Sequence, residues 1–188
     1  MTPQELIDIL SVAQKLKCTT RHCDTSTGRR ESVAEHSWRL SLFALLISDE
    51  FPDTDINKVI RMCIIHDLGE AFTGDIATFD KTAEHVKKED ERFSEWVASF
   101  PPHQKEEFSA LLREMNEMKT PEAMLYKALD KLEAVIQHNE SDISSWLPLE
   151  YELQLTYGRE NVSFSPYLMK LKEYIDGWTK RKISEEGK

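Results

Sequence analysis

The sequence predicts an all-α, single-domain helical bundle spanning residues 1–188. Three observations carry this expectation. Apolar residues recur at helical spacing in one segment after another. Several of those segments open on a serine or threonine cap. No alternating or β-branched run is long enough to build a sheet. With 40% hydrophobic residues in 188, the chain can bury a core without disulfides.

Thr2, Pro3 and Glu5 form a capping box with proline in the first turn, and Leu6, Ile9, Leu10, Ala13 and Leu16 continue a helix to residue 16. Between Lys17 and Glu31 the periodicity stops, and this polar, cation-rich stretch reads as a loop; loops of that length usually have a function. Ser32 and Glu35 open the next helix, with Val33, Leu40, Phe43, Ala44 and Ile47 on it and His36 in its first turns. A further helix is predicted over 55–69, with Ile56, Val59, Ile60, Cys63 and Ile64 on its buried side.

The segment GEAFTGDIATFDK reads as a helix end followed by a turn. Residues 82–99 and 103–118 form charge-dense helices split by Pro101 and Pro102, the charges from Glu84 to Glu95 being the solvated side. Thr120 and Pro121 start a helix through Asn139 with Leu125, Leu129, Leu132 and Ile136 inward. Helices from Leu149 to Tyr157 and from Pro166 to Lys182, the latter capped by Ser165, complete the bundle, and the four tryptophans are assigned to packing.

The formal net charge of -10 excludes wholesale binding to nucleic acid or an anionic membrane surface. No apolar run reaches the ~18 to 20 residues of a membrane helix, and the N-terminus lacks the order of a secretory signal. Cys18, Cys23 and Cys63 are odd in number and make no CxxC pair, so reduced thiols and a cytoplasmic location are expected.

His66 and Asp67 sit side by side in an otherwise apolar helix, where two polar groups are costly unless something satisfies them. Glu70 returns to their side within one turn. His36 and Asp130 bring the same donor types from elsewhere in the chain. Two imidazoles and two carboxylates suit one divalent cation, Mn²⁺, Fe²⁺, Co²⁺ or Zn²⁺, better than Mg²⁺. Taken singly, each residue also has an ordinary role, as a hydrogen-bonded core histidine or an ion-paired aspartate.

The ordered motifs ESVAEHSWRL, IIHDLGEAFTGDI and ALDKLEA resemble those of the HD-domain metal-dependent phosphohydrolases, above all the 5′-deoxynucleotidase-like branch, over roughly residues 15 to 140. This resemblance implies an HD-type bundle with metal ligands at His36, His66, Asp67 and Asp130 and a catalytic acidic pair at Glu70 and Asp75. It further implies phosphate contacts from Arg21 and Lys81, a small-molecule phosphate ester as substrate and a homodimer. His22 departs from the pattern, standing where the bacterial nucleotidases often carry a tryptophan that helps exclude ribonucleotides.

The implied reaction is hydrolysis of a (deoxy)nucleoside 5′-monophosphate to nucleoside and phosphate. Glu70 accepts a proton from the water or holds it in line, and Asp75 helps protonate the departing oxygen or positions another water, the division between the two acids staying open, while Arg21, Lys81 and one of Arg29, Arg30 or Arg39 neutralise the phosphate. Arg39 can alternatively pair with Glu35 on its own helix. Two other readings stay open: another phosphate ester (a triphosphate, a cyclic nucleotide or a non-nucleotide), and a metal- or nucleotide-binding module without turnover.

Overall fold

The computed structural model describes residues 1–186. Long helices dominate: α1 (Pro3–Ala13), α2 (Val33–Leu46), α3 (Ile56–Ile65), α5 (Ala83–Ala98), α6 (Pro102–Glu117), α7 (Pro121–Glu140) and α10 (Pro166–Glu186). Shorter helices α4 (Glu70–Thr73), α8 (Glu150–Thr156) and α9 (Arg159–Val162) lie between them. The capping boxes read from Thr2/Glu5 and Ser32/Glu35 are both formed. Thr120 caps α7 by accepting the Ala123 N–H at 3.2 Å, with Pro121 in the first turn where its missing N–H costs nothing.

The core is built on α7, whose Leu125, Leu129, Leu132 and Val135 are fully buried against α2 and α3. Burying four such side chains contributes on the order of ~6 to 12 kcal/mol. That rigid seam lets α7 also carry polar groups inward without the helix drifting. Around it, Leu40 and Ala44 of α2 and Val59, Met62 and Cys63 of α3 are buried as well.

Three expectations are corrected. The stretch 17–31 is not only loop: Thr20–Asp24 (β1) and Arg30–Ser32 (β2) pair antiparallel around Gly28, whose φ of 78° suits the turn. Its strand signal is missing because the inward residues are held by charge rather than by apolar packing. Arg21 pairs with Glu31 at 2.7 Å, and Gln137 of α7 donates to the Asp24 carbonyl at 2.6 Å.

The predicted helix over 55–69 stops early. His66 is its C-terminal cap, and 66–69 form a turn with Leu68 N–H donating to Ile65 O (3.1 Å) and Glu70 N–H to Asp67 O (3.0 Å). Gly69 permits this turn to lie against α5, since a Cβ there would stand 2.8 Å from Glu89 Cγ. Finally, Ile64 and Trp38 are exposed, at 51% and 65%, rather than packed.

Candidate functional site

Four of the expected residues converge. His36 enters from the first turns of α2, His66 and Asp67 from the turn after α3, and Asp130 from the middle of α7. The two imidazole Nε2 atoms lie 3.2 Å apart. Asp67 Oδ2 is 2.9 Å from His66 Nε2 and 3.8 Å from His36 Nε2. Asp130 Oδ1 reaches the same pair from α7, at 3.4 Å from His36 and 3.8 Å from His66.

The far sides of both rings are already engaged. His66 Nδ1 meets the Cys63 carbonyl at 2.9 Å, and His36 Nδ1 meets the Glu133 carboxylate. A ring that donates its Nδ1–H keeps a lone pair on Nε2, so both lone pairs aim at one point flanked by two carboxylates. Without a cation, burial pushes the His36 pKa down, but Glu133 and Asp130 outweigh it and raise it to about 9. Burial works against the charge of Asp130, yet Lys127 and Lys131 hold its pKa well below the usual carboxylate range. Asp67 is likewise kept low, with the His66 imidazole outweighing burial. This donor set fits a divalent cation.

Glu70 is 3% exposed and its Oε2 has no hydrogen-bond partner among the described residues. Burial, with Asp67 and Asp75 close by, pushes its pKa up to about 11. Asp75 follows Gly74, whose φ of 77° ends α4 and turns the chain back into the site. Burial raises Asp75 as well, against the pull of Arg21.

His66, Asp67, Asp130, Glu70 and Asp75 line one cavity of about 400 Å³, within the size range of small-molecule sites. Arg21 and Lys81 line it. Arg21 is steadied by Glu31 (2.7 Å) and Glu133 (3.3 Å), and Lys81 by Glu89 (2.7 Å), with Glu70 at 3.9 Å. Arg29, Arg30 and Arg39 do not line the cavity. Arg29 pairs with Glu35 at 2.9 Å, the partner expected for Arg39, while Arg39 turns inward to Glu133 at 2.6 Å.

Sequence reasoning missed Glu133, Lys127 and Lys131. Glu133 is 1% exposed and ties together His36, Arg39 and Arg21. Lys127 Nζ lies 3.0 Å from Asp130 Oδ2, and Lys131 donates to the Tyr157 hydroxyl at 2.6 Å. The available signal was spacing: Glu133 lies one turn after Asp130 within the apolar stripe of Leu129, Leu132 and Ile136, where a lone carboxylate needs a partner.

A family model described as HD domain matches residues 13–172. The human 5′-deoxynucleotidase HDDC2 is 30% identical over 114 residues, which cover 60% of this chain and 55% of the human protein. The chain thus spans about half the length of that relative. The Schizosaccharomyces pombe 5′-deoxynucleotidase hdd1 is 26% identical over 192 residues, covering 96% of this chain and 89% of the yeast protein. Among solved structures, a predicted metal-dependent phosphohydrolase from Magnetospirillum magnetotacticum superposes with a TM-score of 0.81 at 25% identity, covering 95% of both chains.

Proposed function

The chain belongs to the HD domain family, and from that membership we propose that it is a metal-dependent phosphohydrolase cleaving (deoxy)nucleoside 5′-monophosphates to nucleoside and inorganic phosphate. One observation carries the reading: two imidazole Nε2 atoms 3.2 Å apart, each with its Nδ1 engaged, face one point between Asp67 and Asp130. His36, His66, Asp67 and Asp130 would hold the ion, with Mn²⁺, Co²⁺, Fe²⁺ or Zn²⁺ preferred over Mg²⁺. A divalent ion there supplies Lewis acidity toward a phosphoryl oxygen and lowers the pKa of water.

The protein supplies the rest. Arg21 and Lys81 neutralise the phosphate, Arg21 held in place by its two carboxylates. Glu70, with one free carboxyl oxygen, accepts a proton from the attacking water. Asp75, whose pKa burial raises, delivers a proton to the sugar oxygen as the phosphorus–oxygen bond breaks. The names of the human and yeast relatives favour a deoxynucleotide among phosphate esters.

The test is a phosphate-release screen of ribo- and deoxynucleoside monophosphates with Mn²⁺, Co²⁺, Mg²⁺ and Zn²⁺ against a chelator-treated control. Metal-dependent release of phosphate from monophosphates is expected. Pyrophosphate or triphosphate released from nucleoside triphosphates would move the chain to another phosphate ester. Absence of any turnover above the control would leave a binding module.

A second copy of this chain is proposed to cover the apolar stripe of Trp38, Leu42, Leu45 and Leu46 on α2, which are 65%, 37%, 55% and 73% exposed. A two-fold contact presents this stripe twice, so a patch too costly to leave in water on one copy buries itself on two. Light scattering should report a dimer, and Leu46→Glu a monomer; a monomeric wild type refutes it. Three unpaired cysteines suit a reducing compartment, and no described helix is long and apolar enough to cross a membrane, so the proposed location is the cytoplasm.

A further inference from the structure

We propose that the cavity face of α8 reads the nucleobase, with the Gln154 carboxamide as its specificity-determining group. This inference rests on the nucleotide reading above and extends it to the end of the cavity away from the ion.

Two helices frame that end. On α7, Asp130, Ala134 and His138 line the cavity at four-residue intervals, so the wall runs about 12 Å from the ion-binding carboxylate to His138. Ala134, with only a methyl group, leaves the middle of that wall open. Opposite, Glu150, Leu153, Gln154 and Tyr157 fall three and four residues apart and line the cavity as one helical stripe. Tyr157 marks the ion-side end, where its hydroxyl meets Lys131 (2.6 Å) and Thr78 (2.9 Å).

The stripe is braced from behind. Glu150, 2% exposed, accepts from His138 Nε2 at 3.0 Å and from the Leu147 N–H at 2.7 Å. The buried Lys172 ammonium donates to the Gln154 backbone carbonyl at 3.1 Å, which pins α8 to α10. Against this frame, two cavity-lining residues carry polar groups with no protein partner. Gln154 is 3% exposed as a whole residue, and its carboxamide makes no hydrogen bond among the described residues. His22 Nε2 is buried 3.4 Å from Glu150 Oε1, without a hydrogen bond.

A polar group that lines a cavity without a protein partner is free to pair with a ligand, and pairing offsets the cost of burying it once the ligand displaces water. A carboxamide presents a donor and an acceptor side by side, which matches the paired edge of a nucleobase and not a single hydroxyl. Leu153 and Phe79, whose ring lies 5.2 Å from that of His22, add apolar surface for the faces of a base. A sugar hydroxyl shares the donor chemistry, and the experiment separates the two.

Gln154→Ala and Gln154→Glu are compared with wild type by kcat/KM on dAMP, dGMP, dCMP and TMP, on a 3′-deoxy analogue, and on deoxyribose 5-phosphate. Calorimetry with the four free deoxynucleosides runs in parallel. The ratio of kcat/KM for the preferred nucleotide to that for deoxyribose 5-phosphate should fall about tenfold in Gln154→Ala, one hydrogen bond's worth. The loss should sit in KM, and Gln154→Glu should reorder the base preference. Deoxynucleoside affinity should fall in step. An unchanged ratio with unchanged nucleoside affinity overturns the proposal, as does a loss that follows the 3′-hydroxyl instead of the base. Wild type that binds deoxynucleosides through Gln154 yet releases no phosphate would refute hydrolysis while upholding the base-reading wall.

Discussion

Replacing Glu133 is the sharpest probe of how the site is held. This carboxylate is 1% exposed and accepts from His36 Nδ1, from Arg39 Nε at 2.6 Å and from Arg21 Nη1 at 3.3 Å. Glu133→Ala strands the buried His36 ring and takes one partner from the half-buried Arg21 and Arg39, which keep Glu31 and Glu140; a broken buried pair costs about 3 to 5 kcal/mol. Glu133→Gln keeps the shape and one acceptor oxygen but loses the charge, a cost of about 1.5 to 3 kcal/mol. For a chain of this length those costs lower the melting temperature by about 6 to 20 °C and about 3 to 12 °C respectively. Because the same carboxylate fixes the tautomer of His36, Glu133→Gln should also weaken Mn²⁺ or Zn²⁺ binding by about 10- to 100-fold. Thermal denaturation of the chelator-treated protein reads the first effect, and calorimetric metal titration at a temperature where the variant is folded reads the second. A Glu133→Gln protein that binds metal like wild type would refute the claim that this contact orients His36.

Further outcomes follow from the same geometry. His66→Ala or Asp67→Ala should abolish tight metal binding and turnover with helical circular dichroism intact; unchanged activity in either rejects the ligand assignment. Glu70→Gln should keep the metal and lose rate by about 10²- to 10⁴-fold, and equal losses of both would move Glu70 into the ligand set. The His36 pKa is raised from 6.5 to about 9, so in chelator its stabilising contribution is full below pH 6.5 and is lost as pH rises through 9. Glu133, depressed to about 2, contributes above pH 4.5 and loses that contribution as pH falls through 2. The metal-free protein should therefore lose thermal stability between pH 6.5 and 9 while its metal affinity rises, since proton and ion compete for Nε2. A melting temperature flat across that window in chelator would contradict the assignment.

The helices were legible because each carried its own local signal. Thr120 and Pro121 announce α7, and its leucine spacing announces the buried face. Motif order likewise foretold the company of His36, His66, Asp67 and Asp130. What the sequence hid depends on distant partners. The hairpin shows no apolar alternation because Arg21 and Asp24 are anchored by Glu133 and Gln137, more than a hundred residues away. The early end of α3 was hidden too, since the turn at 66–69 is closed against Glu89 of α5, a contact no local propensity encodes. Trp38 and Ile64 obey helical periodicity while facing outward, because a hydrophobic stripe does not say which surface covers it.

The charges around the cavity explain how a chain of net charge -10 can receive an anion. Four cations line the wall: Arg21, Lys81, Lys127 and Lys131. Facing them are the carboxyl groups of Asp67, Glu70 and Asp75, of Glu89 and Asp90 on α5, and of Asp130 and Glu150. Seven acids outnumber four bases on the wall, and they still do with Glu70 protonated. Moreover, all four cations are committed: Arg21 to Glu31 and Glu133, Lys81 to Glu89, and Lys127 and Lys131 to Asp130. The same crowding raises Glu70 to about 11, after burial, because Asp67 and Asp75 stand beside it. On the proposed function, an ion held where His36 and His66 converge would displace the proton that His36 carries in its absence and would add positive charge facing an incoming phosphate dianion. Ion binding before phosphate binding is then the expected order, and an ion there would favour ionisation of Glu70, the form the proposed base needs. The acidity that excludes nucleic acid and the acidity that makes the site ion-dependent have one physical origin: carboxylates in excess of their partners.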